Sequence, residues 1–138
     1  MARLIDILFV QVLRVWLAEQ PPRAGGWLGA LSDPRIGVAL AAMHERPGHP
    51  WTVSELARRA HLSRSPFAAR FAALVGEPPL AYLTRWRMQV ASDLLHRESL
   101  SIGEVAARVG YESEPAFSKA FKRATGVAPG AFRRQRAA

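Results

Sequence analysis

The chain repeats itself, and that repeat limits what it can fold into. At an offset of 49, Glu55, Ala57 and Arg59 fall on Glu104, Ala106 and Arg108. One residue is then inserted. At an offset of 50, Phe67, Phe71, Gly76, Pro79 and Ala81 fall on Phe117, Phe121, Gly126, Pro129 and Ala131, and Tyr82 falls on Phe132. Each copy reads as a short helix, a tight turn, a second helix, then glycine and proline. Thr52–Glu55 and Ser101–Glu104 both carry the capping-box pattern, in which hydroxyl and carboxylate each satisfy the other's backbone N–H. Copy two turns at Gly110, where φ > 0 carries no steric penalty. Copy one has His61 there, a residue type tolerated in the left-handed region. Phe67/Phe71 and Phe117/Phe121 are i,i+4 pairs, so each second helix has an apolar face. The pattern predicts two helix-turn-helix units, 52–76 and 101–126.

Between the copies, Pro78–Glu98 reads as one long helix. Two prolines open it, where missing N–H groups cost least. Leu83, Trp86, Val90 and Leu94 keep one face apolar. Roughly 20 residues at about 1.5 Å each would span about 30 Å, close to the roughly 34 Å between successive major-groove faces of B-DNA.

The rest of the composition narrows the function. With 138 residues the chain makes one domain or two small ones, and 49% hydrophobic content supports a core. It has no cysteine, which excludes disulfides, thiolate metal sites and cysteine nucleophiles. Its net charge of +8 is uneven: residues 1–50 hold 5 Arg and 4 acids, while 51–138 hold 14 Arg/Lys and 7 acids. The positive field belongs to the repeated part. It points to a polyanion, either nucleic acid or an anionic membrane surface.

Arg3–Glu19 is apolar on every side of a helix, interrupted only by Asp6, Gln11 and Arg14. It is shorter than the roughly 20 residues of a spanning helix. The polar interruptions and the lack of a clean cleavage site also fit a signal peptide poorly. A helix apolar all round wants burial, against this chain's own body or against a second copy. Gln20–Ser32 is a connector rich in proline and glycine, without the G-x-G-x-x-G spacing of a phosphate cradle. Asp33–Arg46 reads as a further helix with Asp33 as N-cap, Pro34 at its first position and Ile36, Leu40 and Met43 as its apolar stripe. Pro47–Trp51 is a short linker. No strand pattern appears. The expected fold is all-α: an N-terminal helical segment over 1–46, then a repeated domain over 51–136.

Catalytic chemistry finds little support. His44, His49, His61 and His96 are scattered, with no pair at metal-ligand spacing. The serines sit at caps and turns, not in a nucleophile elbow. The acids are dispersed among arginines. No cofactor, metal site or catalytic residue is assigned, and the chain is read as a non-enzyme.

The segments TVSELARRAHLSRSPFAARFAALVGEPPLAYLTRWRM and SIGEVAARVGYESEPAFSKAFKRATGVAPGAFRR resemble the paired helix-turn-helix domain of AraC/XylS-type bacterial transcription regulators over about 52–134. The first 46 residues resemble the tail of the cupin-like sensor domain in such regulators, with its dimer helix. The resemblance implies two homeodomain-like subdomains joined by the long helix. It also implies an effector-responsive parent, and a second helix of each copy that enters a major groove.

The reading faces follow from helical angles and from the resemblance together. In copy one Phe67, Phe71 and Leu74 point inward, and the family's base-facing positions fall on Ser65, Ala68 and Ala69. Two of these are alanine, which can touch a thymine methyl but makes no bidentate base contact. In copy two the positions fall on Glu114, Pro115, Ser118 and Lys119. Lys119 can reach guanine, and Glu114 can accept from cytosine N4. Arg58, Arg59, Arg64, Arg70, Lys122, Arg123 and Arg133 are candidates for phosphate contacts, which position without reading sequence. The expected partners are double-stranded DNA, a second copy held through residues 3–19, and RNA polymerase, in the cytoplasm at the nucleoid and away from the membrane. The competing reading is a protein-interaction and dimerisation module whose DNA face is vestigial.

Overall fold

The computed structural model describes residues 33–97 and 99–137. The expected helix over 3–19, the connector over 20–32 and the self-association assigned to 3–19 lie outside the described residues. Among the described residues the chain forms seven α-helices and no strand: α1 Pro34–Glu45, α2 Val53–Arg59, α3 Arg64–Val75, α4 Pro79–Leu95, α5 Ile102–Arg108, α6 Glu114–Thr125 and α7 Pro129–Ala137. They divide within α4 into two compact units. Of the described residues, the first unit holds 33–46 and 51–82, the second 47–50 and 83–137.

In the first unit, α1 begins because Asp33 caps it. Its Oδ1 accepts from Arg35 N at 3.0 Å and Ile36 N at 3.3 Å, with Pro34 at the first turn. Ile36, Leu40 and Met43 are buried, as their spacing predicts, and α1 packs on α2 and α3. Thr52 Oγ1 accepts from Glu55 N and starts α2. The turn into α3 passes through His61 at φ 57°. Leu62 N closes it by donating back to Ala57 O, a Schellman-type closure. Helix α3 ends at Gly76, φ 96°. Phe67 and Phe71 are fully buried, and Phe71 meets Tyr82 edge-on at 5.9 Å.

The second unit repeats this plan. Ser101 and Glu104 form the complete reciprocal capping box at the start of α5. Gly110 turns at φ 90°, and Tyr111 N donates back to Ala106 O. Phe117 and Phe121 sit in a core with Met88, Ala91, Leu95, Val105 and Val109. Phe121 meets Phe132 edge-on at 5.3 Å, which matches the Phe71–Tyr82 pair of copy one.

The structure extends the repeat beyond the aligned sequence. His44 stacks on Tyr82 with centroids 5.8 Å apart, and His96 stacks on Phe132 at 5.5 Å. The end of α1 is thus to copy one what the end of α4 is to copy two. Helix α4 serves both copies, closing the first with Tyr82 and opening the second with its C-terminal half.

Two sequence expectations change here. The long helix runs for 17 residues, not from 78 to 98. Past Leu95 the chain tightens, with His96 N donating to Asp93 O and Arg97 N to Leu94 O. At about 1.5 Å per residue the helix is about 25 Å long, short of a full B-DNA turn. Its buried stripe is also not Trp86, Val90 and Leu94, which are half-buried flanks. Met88, Ala91 and Leu95 are the buried set, joined by Tyr82 and Leu83 at the other end. A helix that serves two cores changes its inward face along its length, and one stripe cannot describe it.

Candidate nucleic-acid interface

Helices α3 and α6 each bury a phenylalanine pair and leave the opposite face open. On α3 that face carries Ser65 and Ala69, exposed, with Ala68 half-buried beside them. On α6 it carries Glu114, Pro115 and Lys119, exposed, with Ser118 half-buried. The fully buried rings fix the rotation of each helix, so the outward residues have little freedom to exchange places with the inward ones. Helix α6 is further held at its start, where Ser113 Oγ accepts from Ala116 N at 3.2 Å. Glu114 leans toward α5: its Oε2 lies 3.4 Å from where a side chain on Gly103 would begin.

The seven basic candidates separate into two groups. Arg58, Arg64, Lys122 and Arg123 are exposed and make no ion pair among the described residues, and neither does Lys119. The other three are engaged. Arg70 reaches back to α1, its Nε donating to Asp33 Oδ2 at 2.7 Å and its Nη2 lying 2.6 Å from the same oxygen. Burial alone would raise the Asp33 pKa, but hydrogen bonds from Arg70, Ile36 and Arg35 outweigh it, and the carboxyl sits below its ordinary value. Arg70 is therefore already paired with a carboxylate that any anion would have to compete with. Arg59 lies over the Trp51 ring at 5.0 Å, and Trp51 Nε1 donates to Arg46 O at 2.8 Å. Arg133 turns inward: its Nε donates to Leu95 O at 2.8 Å, a carbonyl left over at the end of α4, and its Nη2 to Arg97 O at 3.4 Å, which also accepts from Leu100 N.

Two features went unread in the sequence. Arg108 is exposed at the end of α5 and is the repeat partner of Arg59; the alignment that paired them was the signal. Helix α7 was not assigned, although Pro129 aligns with Pro79, which opens α4. No helix among the described residues is long and apolar enough to cross a membrane.

Comparison with known proteins agrees with this geometry. A helix-turn-helix domain family matches residues 56–135. An AraC-like transcription regulator of Streptomyces antibioticus is 46% identical over 128 residues, covering 93% of this chain and 42% of that protein. The transcriptional regulator AlkR of Acinetobacter baylyi is 44% identical over 133 residues, covering 96% of this chain and 43% of its own length. The chain thus spans less than half the length of these curated relatives. Among solved structures, the DNA-binding domain of the global transcriptional factor AdpA in complex with a target DNA matches with TM-score 0.70 and 36% identity, over 75% of this chain and 92% of that one. An AraC-type regulator from Chromobacterium violaceum matches with TM-score 0.71 and 27% identity, over 77% and 95%. With the family match spanning more than half of its residues, the chain belongs to the AraC family of helix-turn-helix transcription regulators.

Proposed function

We propose that this chain is the DNA-reading part of a regulator that recognises one double-stranded sequence, with α3 and α6 inserted into successive major grooves. One observation carries the reading: two equivalent helices, each locked by a buried phenylalanine pair, present an open face in the part of the chain, 51–138, that holds 14 basic and 7 acidic residues. Base contacts fall to Ser65, Ala68 and Ala69 on α3 and to Glu114, Pro115, Ser118 and Lys119 on α6. Phosphate contacts fall first to Arg58, Arg64, Lys122 and Arg123, which have no competing ion pair among the described residues. Arg59, Arg70 and Arg133 act mainly by bracing the fold that presents them. The chain works without chemistry of its own, in the bacterial cytoplasm on nucleoid DNA, as part of an effector-responsive parent. Residues 3–19 pair it with a second copy, and RNA polymerase is the protein it addresses.

The test is selection of bound sequences from random DNA, then titration of the selected site against a scrambled one at several salt concentrations. A preference for the selected site that persists as salt rises supports the reading. Equal binding to both, or none, would favour a dimerisation module with a vestigial DNA face. Co-sedimentation with anionic vesicles in place of DNA binding would favour a membrane-surface role.

A further inference from the structure

The four residues Pro47–Pro50 lie between α1 and α2, yet they pack in the second unit. Arg87 of α4 holds them there. Its Nε donates to Pro47 O at 2.7 Å and its Nη2 to His49 O at 2.8 Å. A charged fork on two neutral carbonyls makes short, directional bonds, stronger than neutral pairs. The segment also fits the turn of the second helix-turn-helix. A Cβ on Gly48 would stand 2.4 Å from Arg108 O, the last carbonyl of α5, a contact no side chain can make. A Cβ on Gly110, at φ 90°, would meet Arg87 Nη2 at 2.9 Å and Gly48 O at 3.0 Å. Tyr111, the next residue, is close enough to Arg87 for each to shift the other electrostatically. Connector, arginine and turn are therefore built against one another with no room for one extra carbon.

That turn sets how α6 leaves α5. We infer that Arg87 is a positioning residue for the second DNA-reading helix, and that the connector Pro47–Pro50 is the wedge through which it acts. This rests on the reading of α6 as a base-reading helix. The connector precedes both helix-turn-helix copies in sequence but serves only the second. Displacing it alters the seating of the Gly110 turn and so the aim of Glu114, Ser118 and Lys119. Copy one turns instead at His61, at φ 57°.

The experiment uses the full chain with three variants. Arg87→Met removes the fork. Gly48→Ala leaves Arg87 intact but forces the connector off Arg108 O. Lys119→Ala marks which base pairs α6 reads. Each is titrated on the selected site and on every single-base variant of it, with circular dichroism and thermal melts as folding controls. Arg87→Met and Gly48→Ala should both lose about five- to tenfold in discrimination at the base pairs marked by Lys119→Ala, the lower end of what one good base contact is worth. Preference at the remaining base pairs should stay as in the parent. A mere loss of stability would weaken both halves of the site alike, and that result would overturn the inference, as would unchanged preference in both variants. If Lys119→Ala marks no base pair at all, the reading of α6 itself fails, a separate outcome.

Discussion

Replacing Phe121 with alanine should nearly unfold the second unit. The ring is fully buried, faces Phe117 at 5.7 Å and meets Phe132 edge-on at 5.3 Å. Truncating a buried phenylalanine costs about 3–5 kcal/mol from lost transfer free energy and the cavity left behind. Each lost aromatic pair adds about 0.5–1.5 kcal/mol, which places Phe121 toward the upper end. For a domain of 60–100 residues about 1 kcal/mol moves the melting temperature by about 4–8 °C, so a fall of roughly 15–40 °C is expected. Phe71→Ala should cost a similar amount in the first unit, because its ring meets Phe67 at 5.8 Å and Tyr82 at 5.9 Å in the same arrangement. Phe121→Leu, which keeps most of the volume, should cost much less than alanine. Urea and thermal unfolding of the three variants, followed by circular dichroism, make the comparison. If Phe121→Ala melts within about 5 °C of the parent, the ring does not anchor α6, and the outward face assigned to that helix is wrong.

Further outcomes follow from the same geometry. Lys119→Ala should cost about 1–3 kcal/mol in binding and relax preference at one or two base pairs, whereas Arg64→Ala should weaken all sequences alike and lower the salt slope by about one. Titrations on single-base variants would reverse these roles if Arg64→Ala changed base preference and Lys119→Ala did not. His44 makes stability depend on pH: burial pushes its imidazole down to about 4 from 6.5. The folded chain holds this ring neutral and the unfolded chain protonates it first, so its contribution is complete above pH 6.5 and fades as pH falls toward 4. At about 1.36 kcal/mol per pH unit the loss approaches about 3 kcal/mol. Urea midpoints of the parent should therefore drop more between pH 7.5 and 5 than those of His44→Phe, and parallel curves would refute the assignment. Leu8→Glu with Leu13→Glu should convert a self-associated chain to a monomer in sedimentation at micromolar concentration; a parent that is already monomeric would remove the basis for pairing through residues 3–19.

What could be read from the sequence was what depends on near neighbours. Caps obey rules that span three residues, so Asp33, Thr52 and Ser101 were placed correctly, as was the glycine turn at Gly110. The phenylalanine pairs were legible because i,i+4 spacing on a helix that packs on one side leaves no choice of face. The fates of the arginines were not legible. Arg70, Arg87 and Arg133 find their partners 36 to 40 residues away. No local pattern tells an arginine that satisfies a carbonyl from one that waits for a phosphate.

The role of α1 shows why the repeat was read too short. The aligned identities begin at Glu55, so everything before them looked like a separate N-terminal segment. Yet His44 and His96 stack on equivalent rings, Tyr82 and Phe132, at an offset of 52 instead of 49 or 50. The connectors before the two copies differ in length, and a fixed offset cannot follow such a change. The stacking also diverged chemically. Tyr82 carries a hydroxyl 2.6 Å from His44 Nε2, and His44 is half-buried, whereas Phe132 offers His96 only a ring face and His96 stays exposed. A histidine withdrawn from water keeps a hydrogen-bond partner because an unpaired buried polar nitrogen costs about 1–3 kcal/mol; an exposed one can use water. The tyrosine in copy one and the phenylalanine in copy two match that difference in burial. Such substitutions, each matched to its surroundings, keep the architecture of a duplicated unit while erasing the identities by which the duplication is found.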